Sequence, residues 1–161
     1  MVTRVRPDRS SAAEGGFPPG GVDLVELLWR AGRTVAERLG VALAEEGASL
    51  EDWRLLALLH DGGRSMTELA KGTGVPPPTL TKRVDRMVAS NLVHRRTHDC
   101  DRRRVLVLLA PRGRALHDRL IPLVECERER VRRLVEQCGD AAGVAVALHA
   151  LSATEPAMPV R

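Results

Sequence analysis

At 161 residues, with 43% hydrophobic and 29% charged side chains, the chain has enough apolar material for one core and is neither a disordered nor a fibrous composition. Aromatic residues are only 2%, two Trp, one Phe and no Tyr, which excludes a surface that holds single strands by stacking bases on rings. The net charge of +4 is uneven: Lys82 to Arg119 holds eleven Lys or Arg against four Asp or Glu, a net +7 in 38 residues, leaving −3 for the other 123.

A neutral-to-acidic body with one basic strip suits a protein that meets a polyanion with one face. The longest unbroken apolar run, Val105 to Ala110, is far shorter than a membrane span, and the N-terminus carries no secretory apolar segment, so no membrane role and a cytoplasmic location are expected. Three cysteines, Cys100, Cys126 and Cys138, are an odd number, so reduced thiols are expected rather than a disulfide framework.

Residues 1–21 are rich in Ser, Gly and Pro and lack apolar periodicity, which reads as a tail without a core. From Val22 the apolar residues Val25, Leu28, Trp29, Val35, Ala36 and Leu39 recur at helical spacing and stop near Gly40, predicting a first helix over about Val22 to Leu43. Ser49 before the acidic pair Glu51-Asp52 is helix-start chemistry, and Trp53, Leu55, Leu56, Leu58 and Leu59 follow before Asp61-Gly62-Gly63 ends a second helix. Ser65 stands three residues before Glu68, the spacing of a capping box, and opens a short helix that stops at Gly72-Thr73-Gly74.

Three prolines lead into Thr79 to Ala89, where Leu80, Val84, Met87 and Val88 share one helical face. Leu92 to Thr97 and Val105 to Leu109 are β-prone runs joined by a polar loop, which predicts a hairpin. Pro111 to Cys138 reads as a long charged amphipathic helix, bent at Pro122 and ended by Gly139. Ala141 to Leu151 is apolar on nearly every side, so burial against another helix or another subunit is expected. In the same way Cys126 and Cys138 read as small buried apolar groups.

Helix, glycine turn, helix, then β-hairpin is the layout of a winged helix-turn-helix. Ala70 lets the two helices cross closely, and Gly74 supplies the positive φ of a tight turn. With Leu80, Val84 and Met87 turned to the core, rotation of 100° per residue puts Pro78, Thr79, Lys82 and Arg86 on the opposite face, the face that meets a DNA major groove. Thr81 and Arg83 on the same helix, and Arg95 on the first strand, are added to the DNA-binding candidates. The hairpin loop carries Asp101 with Arg102, Arg103 and Arg104, where a wing reaches a neighbouring minor groove; a narrow minor groove favours inserted arginine. Asp101 suits holding a neighbouring guanidinium through a charge-assisted bond.

On these residues the chain resembles the MarR family of transcriptional regulators over roughly Val22 to Leu151. The most specific stretches are Met66-Thr67-Glu68-Leu69-Ala70-Lys71-Gly72-Thr73-Gly74-Val75, Thr79-Leu80-Thr81-Lys82-Arg83-Val84-Asp85-Arg86-Met87, and Asn91-Leu92-Val93-His94-Arg95. Asp101-Arg102-Arg103-Arg104-Val105-Leu106-Val107-Leu108-Leu109-Ala110 matches the family's wing, and Gly113 opens its following helix. The resemblance implies a mainly α fold with a small β-hairpin wing, in which a winged helix-turn-helix domain is joined to a helical dimerisation region.

The expected division is a tail over 1–21, an N-terminal dimerisation helix over 22–48, the DNA-binding domain over 49–112, C-terminal dimerisation helices over 113–151 and a flexible end over 152–161. The resemblance further implies a homodimer on a palindromic double-stranded operator, with Asp101 orienting Arg103 and Arg103 entering the minor groove. Two positions depart from the pattern: His98-Asp99 precedes the wing Asp where the family often has Asp-Pro, and Pro76-Pro77-Pro78 replaces the common Ser or Thr cap, removing backbone donors for a phosphate.

Relatives of this type commonly bind a small, often aromatic and anionic effector between the dimer helices and the DNA-binding lobe. Trp29, Arg33, Trp53 and His60 are the candidates for such a pocket here, against core packing as the ordinary use of a Trp. Cys100 lies among arginines that favour thiolate, with Asp99 and Asp101 opposing, which leaves a thiol redox sensor as an alternative. His98, Asp99, Cys100 and Asp101, and the scattered His60, His94, His117 and His149, show no ligand spacing, so neither metal nor cofactor is expected. Gly-rich phosphate loops, nucleophile elbows and paired-His motifs are missing, so an enzyme is not expected. The expected function is therefore a ligand-responsive, sequence-specific double-stranded DNA-binding repressor, with a winged-helix protein-interaction module as the other alternative.

Overall fold

The computed structural model describes residues 23–98 and 101–153, with the backbone alone for His98 and for 101–104. The chain divides into two compact units, 1–34 and 35–161. In chain order the elements are α1 Leu24–Glu45, α2 Leu50–His60, β1 Arg64–Ser65, α3 Met66–Thr73, α4 Pro77–Ala89, β2 Val93–His98, β3 Asp101–Leu109, α5 Pro111–Gln137 and α6 Ala141–Ala153. The expected tail over 1–21 lies outside the described residues, as do Asp99, Cys100 and 154–161.

Helix α1 runs through Gly40 rather than stopping there. Its end is set further on: Gly47 adopts φ +72°, its N–H donates to Ala44 O at 3.0 Å, and the Ala48 N–H donates to Leu43 O at 3.0 Å. This paired arrangement satisfies two carbonyls that the helix leaves open, and the buried Leu43 and Ala48 both lie in the core cluster. Gly40 lacks the positive φ that would stop the chain, so its local helix-breaking tendency is overridden.

Helices α2 and α3 both open on capping boxes. Ser49 Oγ accepts from the Asp52 N–H and Asp52 Oδ2 accepts from the Ser49 N–H; Ser65 and Glu68 repeat the exchange. Gly74 ends α3 at φ +68°, donating its N–H to Ala70 O, so the chain turns sharply into α4 without the backbone strain an L side chain carries at that φ. At the entrance to α4, Pro76 makes no side-chain cap bond, in keeping with the proline-rich start.

The sheet has three antiparallel strands in the order β1-β3-β2, one more than the hairpin read from the sequence. The extra strand is two residues long, Arg64 opposite Val107 and Ser65 opposite Leu106, so it has no periodicity of its own to detect. Strands β2 and β3 also reach further toward the turn than the β-prone runs did. Their register holds from Val93↔Leu109 to Thr97↔Val105 and then jumps to His98↔Asp101, leaving the backbone of 102–104 as extra residues on β3.

Leu55, Leu56 and Leu59 of α2, Leu69 of α3, Leu80, Val84 and Met87 of α4, Val93 and Val107 of the sheet and Leu120 of α5 are buried together in one core. Helix α5 is continuous through Pro122. Its first turn passes so close to the α4–β2 turn that a Cβ on Gly113 would lie 1.9 Å from Leu92 O. Cys126 and Cys138 are exposed, not buried as expected, because α5 buries the face of Leu116, Leu120 and Val124 instead. Helix α6 buries no residue within the single chain, and Val146, Leu148 and Leu151 stand exposed.

Candidate nucleic-acid interface

Helix α4 sorts its residues by rotation, as its sequence pattern requires. Leu80, Val84 and Met87 are buried, which leaves Pro78, Thr79, Thr81, Lys82 and Arg86 exposed. Pro78, Lys82 and Arg86 follow at four-residue steps and so line one stripe. Thr81 turns its hydroxyl back to donate to Pro77 O at 2.9 Å, which occupies its proton within the helix.

Arg83 departs from the exposed set. Its side chain is only 18% accessible, and its guanidinium reaches α2: Nη1 donates to Ser49 Oγ at 2.9 Å and to Asp52 Oδ1 at 3.0 Å, and Nη2 lies 3.5 Å from Glu51 Oε2. Arg83, one of the expected DNA-binding residues, is thus a strut between α2 and α4.

Asp85 pairs with the neighbouring strand. Arg95 of β2 donates through Nη1 to Asp85 Oδ1 at 2.7 Å, so the hairpin is tied to the helix by an ion pair whose partners remain partly exposed. The hairpin tip holds the backbone of 101–104 in β3 beside the register jump; the side chains of Asp101, Arg102, Arg103 and Arg104 lie outside the description, as does Cys100 altogether. Helix α4 and strands β2 and β3 therefore carry eight of the eleven Lys and Arg of the basic strip, and α5 carries Arg112, Arg114 and Arg119.

The four residues considered for an effector pocket divide between the two units. Within 1–34, Trp29 is 58% exposed and the Arg33 guanidinium sits 5.5 Å over its ring, a cation–π contact. Within 35–161, Trp53 is a buried core residue that stacks on His117 with centroids 5.1 Å apart, and His60 also stacks on that imidazole at 4.5 Å. His117 is the residue that sequence reasoning left among scattered histidines; it lies 57 positions from His60, and no local spacing links them.

A helix-turn-helix whose second helix exposes threonine, lysine and arginine, followed by a basic β-hairpin, is a winged helix-turn-helix. The chain matches the family model described as MarR family over residues 47–104, the stretch that contains α2, α3, α4 and β2. It is 38% identical over 81 residues to the HTH-type transcriptional repressor NicR of Pseudomonas putida, covering 50% of this chain and 49% of that one, so the chain spans about half the length of the curated relative it matches.

Among solved structures, Bordetella bronchiseptica BpsR, studied for the regulation of its DNA binding by 6-hydroxynicotinic acid, superposes with TM-score 0.74 at 22% identity, over 88% of this chain and 100% of that one. The transcriptional repressor CouR, from Rhodococcus jostii RHA1, was solved on a 23-mer DNA duplex and is similar with TM-score 0.68 at 28% identity, over 81% and 92%. Residues 47–104 of the chain thus match the MarR family model, and the likeness to these solved regulators over most of the chain is one of fold.

Proposed function

We propose that the chain is a sequence-specific double-stranded DNA-binding transcriptional regulator of the repressor type, acting as a homodimer in the cytoplasm and released from its operator by a small-molecule effector. The observation that carries the reading is the stripe Pro78, Lys82 and Arg86 with Thr79 on the outer face of α4, joined through the Asp85–Arg95 pair to the arginine-bearing hairpin. Lys and Arg reach guanine edges and phosphates in the major groove, and arginine at a wing tip suits a narrow minor groove. CouR on its duplex supports this use of the fold. Two copies in a symmetric pair would meet a palindromic site, and the exposed apolar residues of α6 are the surface we assign to that pairing.

The test is selection of bound fragments from random duplex followed by footprinting of the best one. The expected result is a palindrome with half-sites about one helical turn apart and an affinity that falls steeply with salt. Binding of all duplexes alike, or of none, overturns the proposal.

A further inference from the structure

Three groups that the basic face does not use converge where α2 packs on α5. His60 at the end of α2 and His117 and Asp118 in α5 each bring one ligand atom to within 4.8 Å of the others. His117 is 5% exposed, and its Nδ1 is a buried polar atom with no hydrogen-bond partner. A buried imidazole nitrogen without a partner is costly unless something fills the position. The neighbouring carboxylate oxygen, Asp118 Oδ1, lies 3.5 Å away, too far for a good hydrogen bond. Two ligands of one tetrahedral ion, each at about 2.0–2.2 Å, stand about 3.3 Å apart, close to that separation.

We propose that His60, His117 and Asp118 bind a divalent transition-metal ion of the zinc class. Two imidazoles and a carboxylate are the borderline nitrogen and oxygen donors such an ion takes, and three protein ligands leave a fourth position open for water or an anion. One ligand is fixed in advance: Trp53 stacks on His117 with rings only 4° from parallel, so the imidazole cannot swing away. His60, stacked on the same imidazole, and Asp118 are both exposed, and side-chain rotation would bring them the remaining distance to the ion. The ion would link the end of α2 to α5. The site is independent of how the chain uses its basic face.

Untagged, chelator-stripped and reduced full-length protein titrated with Co²⁺, then displaced with Zn²⁺, tests it. The expected result is one ion per chain with visible ligand-field absorption. Because His117 is in the core, the exposed partners carry the test: His60→Ala and Asp118→Asn should each weaken binding by about a hundredfold or more, since even losing an outer partner costs about 10–100-fold. His149→Ala, on α6, should bind like wild type. No stoichiometric binding, unchanged binding in His60→Ala, or strong thiolate-to-cobalt charge transfer, which puts the ion on cysteine, overturns the proposal.

Discussion

Arg83 of α4 and Asp52 of the α2 capping box are joined at 3.0 Å, so one carboxylate both closes the start of α2 and anchors α4. Asp52 Oδ2 serves the Ser49 N–H and hydroxyl while Oδ1 accepts from Arg83. Both side chains are mostly buried, 18% and 24% exposed, so the pair is better shielded from solvent than a surface ion pair. Arg83→Ala should lower unfolding stability by about 1–3 kcal/mol, the range for hydrogen bonds to charged groups. Asp52→Ala should cost at least as much, and a double-mutant cycle in urea should give a coupling of about 0.5–3 kcal/mol. Strict additivity of the two changes contradicts the shared-anchor reading.

The same geometry separates Arg83 from its neighbours in DNA binding. Arg86 is exposed while Arg83 points to α2, so only the former is available to a phosphate. Arg86→Ala should reduce the slope of log affinity against log salt by about 1, whereas Arg83→Ala should leave the slope unchanged even where affinity drops. Equal slope changes in the two variants would return Arg83 to the contact face.

Gly113 supplies a sharper packing test. A methyl group there would sit 1.9 Å from the Leu92 carbonyl oxygen, a backbone atom that cannot rotate aside. Leu92 O also accepts from the Ala110 N–H at 3.0 Å, so shifting it breaks the joint between β3 and α5. Gly113→Ala should destabilise by about 1–3 kcal/mol by overpacking, although alanine is the better helix former. A melting temperature equal to or above wild type would show that this joint is loose.

How much was legible in advance depended on whether a feature was local. The burial of Leu80, Val84 and Met87 follows from 3.6-residue spacing, and the Gly74 turn from the residue type that most readily adopts its positive φ; both were readable. The end of α1 was not, because Gly40 and Gly47 look alike in sequence and only the capping bonds at Gly47 decide between them. Strand β1 is two residues paired with Val107 and Leu106, more than forty positions away. Arg83 and Arg86 are both cations on one helix. What divides them is the carboxylate of Asp52, 31 residues earlier. His60 and His117 meet only because α2 packs on α5.

Helix α6 tests the pairing surface. Val146 is 69% and Leu151 59% exposed in the single chain, a cost without a partner to cover them. Val146→Glu with Leu151→Glu keeps good helix formers while opposing burial, and should convert a dimer to monomer by light scattering at concentrations where wild type is dimeric. A variant that stays dimeric places the interface elsewhere.

The most direct measurement is footprinting of the selected operator with wild type, Lys82→Ala and Arg103→Ala at one salt concentration, with folding checked by circular dichroism. The account predicts symmetric protection by wild type, with both folded variants binding at least about tenfold more weakly and Lys82→Ala also relaxing base preference within each half-site, as loss of about 1–3 kcal/mol per contact requires. Two folded variants that protect the operator as wild type does would contradict it.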